Sequence, residues 1–145
     1  MLLDDDPWAL ELLRGHLEEF FPTLTAVTRL EPDPSGDFDV FLIDNDFNGV
    51  DHAEVLARQI RHRLPHALIV AFSATLSATV LRRLINGGCD GACEKANPAE
   101  LLQLFGIIRA HLGARRQRLR ETGFLGAVRA VRGLLAEWNK RLEHC

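Results

Sequence analysis

The sequence predicts an α/β domain built on a parallel sheet. Short apolar runs alternate along the chain with segments whose apolar residues recur at helical spacing. Two of the runs, Val40-Phe41-Leu42-Ile43 and Ala67-Leu68-Ile69-Val70-Ala71-Phe72, are apolar throughout, as expected of strands covered on both faces. Each hands a polar group, Asp44 or Ser73, to the end where such a sheet offers its ligand crevice. A chain of 145 residues supports one core with a short appendage.

Leu2-Leu3 closes a short first strand. Asp6 then caps a helix with Pro7 at its first position, and Leu10, Leu13, Leu17 and Phe20 carry it to about Phe21, where Pro22 stops it. Leu24 to Leu30 reads as a second strand, ended by the turn-rich Glu31-Pro32-Asp33-Pro34-Ser35-Gly36-Asp37. The strand carrying Asp44 follows. Asp51 and Glu54 form an expected capping box for a helix with the stripe Val55, Leu56, Ile60 and Leu64, closed by Pro65. After the strand ending in Ser73, Leu76 to Asn86 is helical and stops at Gly87-Gly88. Gly91 to Glu94 is a short strand delivering Lys95, and Pro98 opens a helix with Leu101, Leu102, Phe105, Ile108 and Leu112.

The pattern changes beyond Gly113, giving a domain over 1–112 and a basic amphipathic helical extension over 113–145. Up to Ile108 the chain has eight Lys/Arg against seventeen Asp/Glu, and beyond it nine against three, within a net charge of −3. Phe124, Val128, Val131, Leu135, Trp138 and Leu142 follow heptad steps, and Gly123, Gly126 and Gly133 weaken the isolated helix, so it needs a packing partner. It is expected to pack on its own domain or on a second protomer. A linker toward an output domain is the other reading of this tail. Nucleic-acid contact through this chain alone is not expected, because no reading motif accompanies the basic patch Arg115-Arg116-Gln117-Arg118-Leu119-Arg120.

No apolar run approaches the ~20 residues that span a bilayer. Met1-Leu2-Leu3 followed by three aspartates is not a signal peptide. The chain reads as cytoplasmic, with no membrane contact. Cys89, Cys93 and Cys145 suit a reducing compartment, and the Cys89–Cys93 spacing fits neither a redox pair nor a zinc site, so they are expected to be structural. The six histidines, His16, His52, His62, His66, His111 and His144, show no convergent pattern and read as solvated.

The strand ends bring Asp4, Asp5, Asp6, Asp44, Ser73 and Lys95 to one edge. Clustered carboxylates repel one another and call for a cation, and an all-oxygen set suits Mg²⁺. An aspartate beside Mg²⁺, a hydroxyl and a lysine is arranged to accept a phosphoryl group, with the carboxylate as nucleophile and the cations balancing the transferred charge.

Four linked motifs, Leu3-Asp4-Asp5-Asp6-Pro7, Asp39-Val40-Phe41-Leu42-Ile43-Asp44, Ile69-Val70-Ala71-Phe72-Ser73-Ala74 and Gly88-Cys89-Asp90-Gly91-Ala92-Cys93-Glu94-Lys95, resemble the receiver domain of two-component response regulators over residues 1 to 112. The resemblance implies a flavodoxin-like, doubly wound five-stranded parallel sheet of order 2-1-3-4-5 with the site at its switch point. It implies Asp44 as phosphoacceptor and Asp4 and Asp5 as the acidic pair holding Mg²⁺. Asp46 would contribute its backbone carbonyl, Ser73 a hydroxyl that moves toward the phosphoryl group, and Lys95 its charge partner. It also implies a histidine kinase or phosphotransfer protein as partner, with a homodimer possible. Such a chain is not a conventional enzyme, since it accepts the phosphoryl group itself and can release it.

The sequence departs from the family at Phe47-Asn48, where Met-Pro is usual, and at His52, where Gly is usual. Ala96 stands in place of a cis-proline, Ala92 in place of an aromatic switch residue, and only Met1 to Leu3 precede the acids. The usual Ser-plus-aromatic switch therefore does not operate as such. Two other functions stay open at this point: a phosphorylation-independent interaction or dimerisation module, and a haloacid-dehalogenase-like phosphatase built on Asp44-Asn45-Asp46. The phosphatase family needs an acidic pair after the lysine, and Glu100, Glu121, Glu137 and Glu143 do not supply one.

Overall fold

The computed structural model describes residues 1–120 and 125–140. Phe124 and Leu142 of the expected apolar series, with Gly123, His144 and Cys145, lie outside them. The elements in chain order are β1 (Leu2–Leu3), α1 (Pro7–Phe20), β2 (Thr28–Arg29), β3 (Val40–Asp44), β4 (Asp46–Phe47) and β5 (Val50–Asp51). They continue with α2 (Ala53–Arg63), β6 (Leu68–Ser73), α3 (Ala78–Asn86), β7 (Gly91–Glu94), α4 (Pro98–Arg120) and α5 (Leu125–Lys140).

Five strands form a parallel sheet of order β2-β1-β3-β6-β7. With the small β4–β5 hairpin set aside, this is the expected 2-1-3-4-5. Successive side chains of a strand point to opposite faces, and the core divides accordingly. Leu3, Phe41, Ile43, Ile69, Ala71 and Ala92 join α2 and α3 on one face. Leu2, Leu42, Leu68, Val70, Phe72 and Cys93 join α1, α4 and α5 on the other. The continuous apolar runs are thus explained by covering layers on both sides. Cys89 and Cys93 are free and buried, and burial pushes the Cys89 thiol up to about 12, which makes it an inert core residue.

Several elements differ from expectation for local reasons. The second strand shrinks to Thr28–Arg29, because Leu24 turns back to donate its N–H to Phe21 O at 2.9 Å. From there the chain crosses β1 to reach β3 without a helix. This proline-containing connection is held by side chains instead: Arg29 bonds Asp33 and Ser35, and Arg63 of α2 bonds Pro34 O and Gly36 O. Phe38 packs edge-on against Phe41, ring centres 5.8 Å apart, and closes the sheet face there.

The capping box does not form. Asp51 lies in β5, the cap position falls to His52 with no side-chain bond, and Glu54 pairs with Arg58. The buried stripe of α2 is Ala53, Leu56, Ala57 and Ile60, while Val55 is exposed. α3 starts at Ala78, capped by Ser77, whose oxygen accepts from Val80 N. The last helix of the sheet layers, α4, runs unbroken through Gly113 to Arg120.

The basic, amphipathic α5 packs on its own domain, against α4 and the edge strand β7. Val131, Leu135 and Trp138 are its buried residues in that core. Trp138 lies so close over Gly91 that a Cβ there would stand 2.5 Å from the indole. The edge strand therefore carries glycine where the helix needs contact. Asn139 adds a bond to Asp90 O at 3.1 Å.

Candidate functional site

The carboxyl ends of β1, β3 and β7 bring three groups together. Asp44 is the last residue of β3 and is 5% exposed, and Asp4 follows β1 at 7%. Lys95, just past β7, reaches between them: its Nζ lies 2.8 Å from Asp4 Oδ2 and 2.9 Å from Asp44 Oδ2. The lysine is fixed from behind by its own N–H, which donates to Ser73 O at 3.0 Å. Asp4, Asp5 and Asp44 each present an oxygen within 4.8 Å of the others.

The three consecutive aspartates have separate tasks. Asp4 Oδ1 accepts from Asp6 N at 2.9 Å, which orients its carboxylate. Asp6 turns away and caps α1 through Trp8 N. Asp5 Oδ2 accepts from Asn48 N at 2.8 Å and so ties the β4–β5 hairpin to the acidic cluster. That hairpin has its two-residue turn at Asn48 (φ 54) and Gly49 (φ 83), both left-handed as a type I′ turn requires.

Ser73 ends β6, one register position beyond Phe72, the partner of Asp44. Its hydroxyl donates to Thr75 O at 2.7 Å rather than to either carboxylate, and it does not cap α3. Asp46 is exposed and its side chain accepts from Gly49 N at 2.5 Å, within the hairpin. Its backbone N–H bonds the Asp44 carboxyl. The Lys95–Ala96 peptide is trans. Ala92 is fully buried between the strands and the α2–α3 layer, so a small side chain fills the position without reaching the surface.

Electrostatics follow from this packing. Burial is the largest influence on Asp44, the Lys95 hydrogen bond opposes it and Asp4 adds to it, and together they raise the carboxyl from 3.8 to about 6. Burial alone would lower the Lys95 ammonium, but its hydrogen bonds to Asp4 and Asp44 outweigh that and raise it. Three carboxylates against one ammonium, which pairs with Asp4 and Asp44, leave the cluster short of positive charge. A hard divalent cation fits that deficit. Asp4, Asp5 and Asp44 are the residues that would hold it, through the oxygen donors that Mg²⁺ takes.

Sequence reasoning missed the hairpin and what it connects. Asn45 Nδ2 donates to Asp51 Oδ1 at 3.0 Å, and Asp51 pairs with Arg83 of α3 at 2.6 Å. The site loop is thereby linked to α3, which shares the sheet face that Phe47 of the hairpin packs on. Asn48-Gly49 between apolar Phe47 and Val50 was the available signal. His111, expected to be solvated, is buried at 6% exposure.

No family model matches this sequence, and no curated protein matches it. Solved structures do. The chain is similar to the BeF3-activated receiver domain of DrrB, at 17% identity over 77% of this chain and 94% of that one, with a TM-score of 0.66. It is similar to a CheY-like receiver domain protein from Methanospirillum hungatei, at 19% identity over 81% and 94% of the two chains, TM-score 0.65. A LuxR-family two-component response regulator from an Aurantimonas species shares 25% identity over 74% of this chain and 81% of that one, TM-score 0.60. The fold is that of response-regulator receiver domains. In the receiver fold the acidic cluster of Asp4, Asp5 and Asp44 resembles the phosphorylation site. The extra feature of this chain beside that fold is α5, laid over the edge strand.

Proposed function

We propose that this chain is a phosphoacceptor receiver domain of a two-component or phosphorelay system, phosphorylated on Asp44 in a Mg²⁺-dependent reaction. The observation that supports this reading best is the Lys95 ammonium bridging Asp4 and Asp44 at the carboxyl edge of the sheet. In the proposed reaction an Asp44 oxygen forms the new bond to phosphorus as the bond to the donor breaks, and the donor leaves with that electron pair. The donor is a phosphohistidine of a histidine kinase or phosphotransfer protein. A bound Mg²⁺, held by Asp4, Asp5, Asp44 and the Asp46 carbonyl, would neutralise phosphoryl oxygens. Lys95 then exchanges its Asp44 contact for the phosphoryl group, and the Ser73 hydroxyl, now spent on Thr75 O, turns to a stronger acceptor.

The chain is itself the substrate, so the reading is not one of a conventional enzyme. The receiver unit is residues 1–112, and 113–145 is the extension through which its state is passed on. No helix among the described residues is long and apolar enough to cross a membrane. A second reading, an interaction module that works without phosphate, is favoured by Ala92, which removes the aromatic switch.

Treating the protein with acetyl phosphate, with and without Mg²⁺, and weighing it intact separates the two. The expected result is a Mg²⁺-dependent gain of one phosphoryl group that is absent in a folded Asp44→Ala variant. A gain that persists in that variant sinks the acceptor assignment. No gain under any condition leaves the binding module.

A further inference from the structure

Asn45 follows the candidate phosphoacceptor and is itself buried, at 7% exposure. Its backbone is fixed on both sides, the N–H donating to Phe72 O at 2.7 Å and the carbonyl accepting from His52 N at 2.9 Å. Its side chain is tethered through the amide nitrogen, which donates to Asp51 Oδ1 at 3.0 Å. The amide oxygen, Oδ1, is buried with no donor among the described residues. Burying a polar atom without a partner is unfavourable, and such atoms are normally satisfied.

The other oxygen of Asp51 takes Arg83 Nη1 of α3 at 2.6 Å. Only part of the guanidinium fork is used, since Arg83 Nε is buried with no acceptor among the described residues. One carboxylate thus joins a helix donor that lacks an acceptor to a strand-end acceptor that lacks a donor. An arginine that turns the Nε edge of its fork toward the Asn45–Asp51 pair satisfies both atoms at once. The entry to α3 offers the freedom for such a change. Ser73 Oγ holds Thr75 O at 2.7 Å, and Glu94 Oε1 holds Leu76 N at 2.9 Å. Turning the Ser73 hydroxyl toward a phosphoryl group releases Thr75 O and loosens the segment that leads into α3. Ala92 of β7, fully buried, has no side-chain rotation with which to signal.

We infer that Arg83, Asp51 and Asn45 form the relay that carries the state of Asp44 to α3: when Asp44 is phosphorylated, α3 shifts and Arg83 turns its Nε edge onto Asn45 Oδ1. The inference rests on the reading of Asp44 as phosphoacceptor and adds the route by which its state leaves the site. Arg83 and Asp51 are positioning residues here, outside the reacting atoms. Coupling is reciprocal, so breaking the relay also weakens what binds at the site.

The test is a two-dimensional ¹⁵N NMR titration of the full chain with beryllofluoride and Mg²⁺, a stand-in for the phosphoryl group, read at the backbone amides and the arginine Nε–H. In the wild type the amides of Asp5, Asp46 and Lys95 are expected to shift, and with them those of α3 and the Arg83 Nε–H. In Asp51→Asn, Arg83→Gln and Arg83→Lys the site amides are expected to shift still, while the α3 response is lost. Arg82→Gln, exposed on the same helix, removes the same charge and is expected to keep the whole response. Beryllofluoride affinity is expected to fall about threefold in Asp51→Asn and in Arg83→Gln, the scale of a half-exposed pair, and no further in the double variant. No site shift in the wild type overturns the phosphoacceptor reading and the relay with it. Site shifts with a silent α3 overturn the relay alone. So does an α3 response that survives Asp51→Asn and Arg83→Gln, or that is lost equally in Arg82→Gln, and so do affinity losses that add in the double variant.

Discussion

A carboxylate 5% exposed, facing a second carboxylate and sharing one ammonium with it, is costly to ionise. Raised from 3.8 to about 6, Asp44 keeps its proton in the folded protein over a range where the unfolded chain has lost it. Stability attributable to this group is therefore greatest below pH ~4, falls as pH rises, and has lost its full share above pH ~6, a penalty of about 3 kcal/mol at 1.36 kcal/mol per pKa unit. Asp44→Asn removes the charge and keeps the shape. In EDTA at pH 7.5 the variant is expected to be more stable than the wild type by ~1–3 kcal/mol, and at pH 4 by almost nothing. Urea denaturation at the two pH values measures this. A variant no more stable than the wild type at pH 7.5 contradicts the electrostatic account. Added Mg²⁺ is expected to reverse the order, since a cation that binds only the folded wild-type cluster stabilises it by mass action.

The β4–β5 hairpin is the element that gives this cluster its outer wall. Its turn needs two left-handed residues, and Asn48 and Gly49 are suited to that. A Cβ at Gly49 meets no atom within 4 Å, so substitution there tests backbone conformation alone. Gly49→Ala is expected to cost about 1–2 kcal/mol and to weaken Mg²⁺ binding through the Asp5–Asn48 bond, read by denaturation and by calorimetric titration. Unchanged stability sets aside the left-handed turn as a constraint. The hairpin also shows what was legible in the sequence. Long apolar runs with a polar terminus reveal β3, β6 and the convergence of Asp4, Asp44 and Lys95, because a strand buried on both faces admits few other patterns. The capping box failed because Asp51 had a competing use, pairing with Arg83 and Asn45. Such a use depends on Arg83, in a helix that follows a whole further strand. His111 reads as solvated from sequence because burial of α4 on that side comes from α5, whose docking no local pattern specifies.

At the scale of the whole molecule, α5 changes a two-sided sheet into one whose edge strand is also covered. Exposed edges invite pairing with other chains. Here Trp138 covers the face of β7 at Gly91 and Asn139 bonds Asp90 O, so α5 completes the layer over the edge strand from within the chain. The packing involves one helix with α4 and β7, so its loss is expected to leave the rest of the sheet folded. The two tryptophans report on this separately. Trp8 is 81% exposed at the start of α1, beside the acidic cluster, whereas Trp138 is 5% exposed in the core. A Trp8→Phe variant is therefore expected to emit at shorter wavelength than the wild type and to resist quenching by iodide. A Trp138→Phe variant is expected to show the reverse. In Trp8→Phe, replacing Gly91 by Val places atoms where the indole lies. The expected result is loss of the iodide protection while the far-ultraviolet spectrum of the α/β core persists. Protection that survives Gly91→Val would mean that Trp138 is buried somewhere other than over β7, and α5 would not be the cover of the edge strand.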